Sequence, residues 1–488
     1  MTDAAPPSTP APDRTRLRTL ALGVLLPGFA GAVPPSWLLD RLRAGLAGAC
    51  LFGENVTPAL PALVAAVRTT APDALLAIDE EGGDVTRLAW VSGSDEPGNA
   101  VLGRLDDPES TRASAARIAA ALRAAGLDLD LAPVVDVNSN PRNPVIGARS
   151  FGDDAALVAR HATAWIAGAD GGGVATSAKH FPGHGDVAVD SHLALPVLEA
   201  PLEVLREREL APFAAAIAAG ARTVMTSHLV VRAVDSDRPA TFSAPVLEGL
   251  LRGELGFTGV IVSDALDMAG ASGAIGIPEA AVRALQGGCD LLCVGTRNTG
   301  EQVDAIAEAI VAAVENGRLP AARLAQAHER VARLRAELAG ERARGEGRAP
   351  AAAEATALPP ARIAEAFAER GPLAVAPGAR LVQLETTANA AVGTVPWGVA
   401  TVLPDVLRLR EGEPLPAGPL VLVGRDLHRH PWIVDVVARA RDSRPTLVVD
   451  MGWPDLESGP ADLATFGASR AVAAALLERL GLPEGGTS

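Results

Sequence analysis

Between residues 20 and 294 the chain alternates short β-rich runs with alanine-rich amphipathic stretches, and this alternation limits the fold more than any other feature. The runs are 20–26, 49–52, 75–78, 127–137, 173–178, 223–227, 259–263 and 290–294. The stretches between them, such as 155–169, 203–219, 244–255 and 278–286, carry apolar residues at helical spacing. Strand and helix in strict alternation imply parallel pairing through right-handed crossovers. Eight such units over roughly 300 residues predict an α/β fold with an N-terminal TIM-type (β/α)8 barrel; a doubly wound open sheet is the other arrangement.

After Pro320 a long helical pattern over 321–338 runs into GERARGEGR and then APAAAEATALPP, a composition that marks a linker. The pattern then restarts on a smaller scale. Strands are expected at 381–384, 420–423 and 446–449, and helices at 433–441 and 469–480, as in a smaller C-terminal α/β open-sheet domain. The expected division is a disordered arm over 1–16, the barrel over 17–340, a linker over 341–360 and the second domain over 361–488. His428, Arg429 and His430 read as a solvated polar loop of that domain.

Arg14, Arg16 and Arg18 precede the apolar TLALGVLLPGFAGA, which mimics a signal peptide. Because similar runs recur downstream, the reading adopted is a first strand over 20–26, and a cytoplasmic location is expected, with secretion left open. No apolar run reaches the roughly 18–20 residues of a membrane span. The net charge of -15 argues against nucleic acid and anionic membrane as partners. Tyr is absent and aromatics make up 3%, which argues against a stacking platform for single strands. Cys50, Cys289 and Cys293 are too few for a disulfide framework, and the last two read as small buried hydrophobes.

Chemistry concentrates in 178–193, AKHFPGHGDVAVDSHL, which holds Lys179, His180, His184, Asp186, Asp190 and His192. Grouped titratable residues in a glycine-rich loop after a strand are typical of a site on a rigid scaffold. In a barrel, sites form at the C-terminal ends of the strands. The polar residues expected at those ends are Asp79, Glu80, Glu81, Asp136, Lys179, His180, His228 and Asp264. Asp264 suits a nucleophile, a base, a metal ligand or a helix cap. If Asp190 accepts the ring N–H of His192, the imidazole becomes a proton donor and acceptor near neutral pH. A carboxylate nucleophile with such a partner is the minimum for retaining glycosyl transfer. A metal-dependent hydrolase built on Lys179, His180, His184, His192, His228 and Asp264 is the rival, although the chain has no H-E-x-x-H.

The stretch KHFPGHGDVAVDSH resembles the signature of glycoside hydrolase family 3, in its two-domain β-N-acetylglucosaminidase (β-hexosaminidase) branch. IDEEGGDVTRL, LAPVVDVNSNPRNPVIGARSFGDD and PATFSAPVLEGLLRGELGFTGVIVSDALDM resemble further segments of that family, in the same order. The resemblance implies Asp264 as nucleophile, His192 as acid/base assisted by Asp190, and Asp79, Arg87, Arg149, Lys179 and His180 as sugar-binding residues. His228 falls near the site without an assigned role. Neither metal nor other cofactor is implied, and the expected partner is a small oligosaccharide with a terminal β-GlcNAc, from cell wall or chitin. A phosphorylase or β-glucosidase of the same family is the near alternative, and a catalytically silent sugar-binding barrel the distant one. Two residues depart from the family pattern: Glu80 stands for Gln and Asp84 for Arg. Both are expected to make their loop more acidic and so less suited to an anionic fragment beyond the first sugar.

Overall fold

A computed structural model describes residues 13–189, 195–345, 356–386, 389, 391–455 and 459–482. Its largest sheet has eight parallel strands: β1 Leu25–Pro27, β2 Gly48–Leu51, β3 Leu75–Ile78, β4 Leu129–Asp130, β5 Ala175–Phe181, β6 Thr223–Thr226, β7 Val260–Ser263 and β8 Leu291–Gly295. Each pairs with the next from β2 to β8, and β8 pairs with β1. At the remaining seam, just before β1 and β2, Ala47 N donates to Leu22 O at 3.2 Å, so the barrel is nearly closed.

Side chains alternate along the strands. In β3, Leu75 and Ala77 join Cys50, Leu129, Met225, Val262 and Cys293 in the interior cluster, while Leu76 and Ile78 join the outer cluster under the helices. Helix Ala155–Gly171 shows how that outer layer arises. Asp154 caps it by accepting from Leu157 N at 2.8 Å, and Val158, Ala162, Trp165, Ile166 and Ala169 bury one stripe. Helix Ala321–Arg344 sets Val331, Leu334 and Leu338 against the interior cluster and closes the barrel's N-terminal end. Asp290, fully buried at that end, accepts from Arg252, Arg323 and Arg330.

The first strand differs from expectation. Residues Arg14–Leu22 form a helix capped by Asp13, and β1 begins only at Leu25. Leu17 and Ala21 share one buried face, and Arg14 and Arg18 pair with Glu308 and Asp304 at 2.7 Å each, so the three arginines that mimic a signal sequence form a helix's outer face. The run 127–137 gives only a two-residue strand, because Pro133 has no N–H and the chain beyond it meets β5 only through the bridge of Val134 to Lys179.

Among the described residues the second unit carries six strands: β9 Ala368–Glu369, β10 Arg380–Leu384, β11 Leu407–Leu409, β12 Leu420–Gly424, β13 Thr446–Asp450 and β14 Leu463–Ala464. Their order is β9-β14-β13-β12-β10-β11, parallel except for the β9–β14 pair. Helix Asn99–Leu105 of the barrel unit contributes Val101 to the second unit's core and Ala100 to a cluster with Ala464 and Phe466. The two units therefore share apolar packing. Among the described residues, no helix is long and apolar enough to cross a membrane.

Candidate active site

A cavity of about 830 Å³ opens at the C-terminal ends of the barrel strands. Asp79, Arg87, Arg149, Lys179, His180 and Asp264 all line it. Asp79 follows β3, Lys179 and His180 end β5, Asp264 follows β7, and Arg149 stands in the short turn Gly147–Arg149. Asp190 and His192 lie outside the described residues.

Lys179 is the buried hub. Its Nζ lies 2.6 Å from Asp79 Oδ1 and 2.7 Å from Glu81 Oε1. Glu81 also takes Arg149 Nε at 2.9 Å and Nη2 at 2.8 Å. Burial opposes the charge on Glu81, but Arg149 and Lys179 together outweigh it and hold the carboxyl well below the usual range. Burial likewise opposes the charge on Lys179, and Asp79 and Glu81 outweigh it, so its pKa is raised. The result is an array of fixed charges whose donors and acceptors are oriented before a ligand arrives.

Asp136 organises the neighbouring loop. Its Oδ2 lies 2.7 Å from His180 Nδ1, and its Oδ1 accepts from the backbone N–H groups of His180 at 3.1 Å and His184 at 2.7 Å. That bond fixes the edge His180 turns to the cavity, where Nε2 stands 3.5 Å from Arg149 Nη2. Asn143 links the same loop to Arg149's segment: its Nδ2 donates to His184 O at 2.7 Å, and its Oδ1 accepts from Ile146 N at 2.8 Å. Sequence reading noticed Glu81 and Asp136 as strand-end acids and left them without roles. Acids next to basic site residues are the signal that assigns them. Nothing in the spacing singled out Asn143.

Asp264 is not a helix cap, since the helix after it, Ala269–Ser272, has Met268 at its N-cap. Its Oδ1 accepts from Ala265 N at 2.7 Å, and its own N–H donates to Thr226 Oγ1 at 3.3 Å, which orients the carboxylate at the cavity wall. His228 is fully buried and lies outside the lining. Its Nδ1 lies 2.8 Å from Thr241 Oγ1 and its Nε2 3.0 Å from Ala265 O, so it supports the backbone beside Asp264.

Arg87 lines the cavity, but its guanidinium donates to carbonyls of the second unit, Ala391 O at 2.7 Å and Val392 O at 3.4 Å. The two family departures also turn away from the cavity. Glu80 Oε2 accepts from Arg87 N and Leu88 N at 2.8 Å each. Asp84 accepts from Ala468 N at 2.8 Å and pairs with Arg425 at 3.3 Å. Burial raises the pKa of both, and neither adds negative charge to the cavity wall, contrary to expectation.

Residues 42–334 match the family model described as the glycosyl hydrolase family 3 N-terminal domain. The chain belongs to glycosyl hydrolase family 3. Within this family it is 40% identical over 281 residues to a beta-hexosaminidase of Xylella fastidiosa, covering 56% of this chain and 83% of that one. It is 34% identical over 336 residues to beta-hexosaminidase A of Pseudoalteromonas piscicida, of whose length it spans 56%. A family 3 beta-N-acetylglucosaminidase from Paenibacillus superposes with a TM-score of 0.83 at 28% identity, over 97% of this chain and 99% of that one. The fold is that of the two-domain members of the family, a parallel barrel followed by a smaller sheet unit.

Proposed function

We propose that the chain is a retaining, exo-acting β-N-acetylglucosaminidase that removes terminal β-linked GlcNAc from small oligosaccharides of chitin or cell-wall origin. The observation that carries this reading is the convergence of Asp264 with Asp79, Arg149, Lys179 and His180 on one cavity. The cavity has a floor: Leu131, Met225 and Cys293 line it and belong to the barrel's buried interior. A blind end suits a chain terminus and excludes a polymer threading through. The names of the relatives support the N-acetyl sugar.

In this reading Asp264 attacks the anomeric carbon as the leaving oxygen takes a proton from His192. A covalent glycosyl–Asp264 ester forms, and His192, oriented by Asp190, then takes a proton from the water that hydrolyses it. Asp79, Lys179 and Arg149 hold sugar hydroxyls by charge-assisted bonds, which restricts the sugar to the geometry of attack.

The test compares chromophore release from aryl β-N-acetylglucosaminide and aryl β-glucoside by wild type and Asp264→Asn. A strong preference for the N-acetyl sugar, lost with the substitution, is expected. Equal rates on the two sugars would refute the specificity, and an active variant would refute the nucleophile. Repeating the assay in phosphate buffer, with sugar 1-phosphate as the readout, separates hydrolysis from phosphorolysis.

A further inference from the structure

The parallel strands of the second unit lie in the order β11-β10-β12-β13-β14. The first of them in the chain, β10, has the second on one side and the third on the other, so the winding reverses between β10 and β12. Open α/β sheets bind ligands outside the carboxyl ends of their strands at such a switch point. A cavity of about 210 Å³ opens there in this chain. Asn389 and Val392 reach it from the segment after β10, Arg425 and Asp426 from the turn after β12, and Gly452 from the turn after β13. Its opposite wall is segment 143–149 of the barrel unit, which ends in Arg149. It is separate from the catalytic cavity: Asp264, Lys179 and His180 line that one and not this one.

Arg425 is the member of this wall whose bonding is incomplete. The residue is 5% exposed, its Nη1 lies 3.3 Å from Asp84 Oδ2, and its guanidinium stacks on Trp397 at 4.8 Å. Its Nη2 is buried with no hydrogen-bond partner among the described residues. A buried donor without an acceptor costs free energy, and a ligand oxygen recovers it. His430 lines the same cavity at the start of helix Pro431–Ser443, and its ring makes no capping bond to that helix. The charges of the wall are matched. Asp84 and Asp426 stand against Arg425 and Arg429, and Arg149 is held by Glu81, so no charge is set aside for an ion. Pro144, Val145 and Ile146 add an apolar patch, the last two from a buried cluster with Val134.

We propose that this cavity is a second, non-catalytic site for one neutral hydroxylated ring, a monosaccharide. The identity of the occupant rests on the glycosidase reading above, since a free monosaccharide is what that reaction releases. A sugar needs donors and acceptors in balance for its hydroxyls and an apolar surface for its C–H groups, and this wall supplies both. The volume is below the ~300–1,000 Å³ of sites for drug-sized ligands, which suits a single ring and leaves no room for a second. An occupant touches both units and the segment that carries Arg149.

The test titrates N-acetylglucosamine into the full chain after a fluorosugar trapped on Asp264 has filled the catalytic cavity, and follows bound sugar by saturation-transfer NMR. Saturable binding is expected to survive in the blocked wild type. It is expected to weaken about tenfold in Arg425→Gln, the size of one charge-assisted hydrogen bond, and to vanish in His430→Trp, whose indole fills the cavity. His430→Trp decides the matter where the arginine variant does not fold. No binding to the blocked wild type, or equal binding in both variants, overturns the site. Displacement of the sugar by inorganic phosphate as readily as by glucose overturns the neutral ring. Failure of the fluorosugar to label Asp264 counts against the glycosidase reading alone; the unblocked chain then serves, and a sugar signal that does not fall in the two variants still overturns the site.

Discussion

The carboxylate of Glu81 accepts both arms of the Arg149 guanidinium, at 2.9 and 2.8 Å, in a pocket that leaves their side chains 2% and 7% exposed. The same carboxylate also serves Lys179. One acid therefore holds two of the proposed sugar-binding cations in place, and the cluster works as a unit.

Glu81→Ala leaves Arg149 and Lys179 buried with less opposite charge. Breaking a buried pair by removing one partner typically costs ~3–5 kcal/mol, because the other charge stays desolvated. A loss of that size in urea unfolding is expected, with Glu81→Gln losing less because an amide oxygen still accepts. A loss below about 1 kcal/mol would mean that Asp79 alone compensates the cations.

Two buried groups, His184 in the 182–189 loop and Glu209 packed against Gly183, give opposite pH signatures. Glu209 is raised to about 7 by burial, against Arg208 at 2.6 Å. Up to pH about 7 the folded chain holds a proton there that the unfolded chain has released, so this contribution is greatest in acid and falls as pH rises. His184 is lowered to about 4 by burial. As pH falls through the ordinary histidine range toward about 4, the unfolded chain binds a proton there that the folded chain refuses, so stability is lost toward acid. Relative to wild type, the Tm of Glu209→Gln is expected to improve from pH about 5 to about 8, and that of His184→Gln from about 8 to about 5. Difference curves that run flat across this window would show that neither group is linked to folding.

The barrel was legible because its strands bury both faces, so each appears as a short apolar run, and because Asp79, Lys179, His180 and Asp264 fall at run ends. The first element was misread: in RTRLRTLAL the buried Leu17 and Ala21 lie four apart, but the apolar run beyond them masked the helical period. The orientation of Glu80 and Asp84 was illegible for a different reason. Sequence shows that a loop gained acids, but whether they face substrate depends on partners such as Ala468 and Arg425, which come from more than 300 residues away. Arg429 illustrates the same limit. It reads as a solvated loop residue, yet it donates to Asn143 O at 2.6 Å and so ties the second unit to the segment that carries Arg149.

Asp84 tests that interface directly. It accepts from Ala468 N and pairs with Arg425, which stacks on Trp397 at 4.8 Å. Asp84→Ala leaves a nearly buried arginine without that carboxylate, while Asp84→Asn keeps an acceptor for Ala468. Calorimetry is expected to show the second unit melting ahead of the barrel in the alanine variant, and to a lesser degree in the asparagine one. A single transition at the wild-type temperature would mean that the apolar contacts of Val101 are sufficient to hold the units together.

Two glycines stand where a Cβ has no room. At Gly103, in helix Asn99–Leu105, a Cβ would fall 1.7 Å from the carbonyl oxygen of Phe151, a backbone atom locked against the barrel. Gly103→Ala must shift that helix, whose other face supplies Val101 to the second unit's core, and a loss of several kcal/mol, of the ~1–3 or more seen for overpacking, is expected. At Gly53 the obstruction is the indole of Trp90, a side chain that also meets Gly393 and lies under Arg87. Gly53→Ala must displace that indole, and a loss of ~1–3 kcal/mol in urea unfolding is expected. A Gly53→Ala variant as stable as wild type would show that the indole can move aside without loss of its packing.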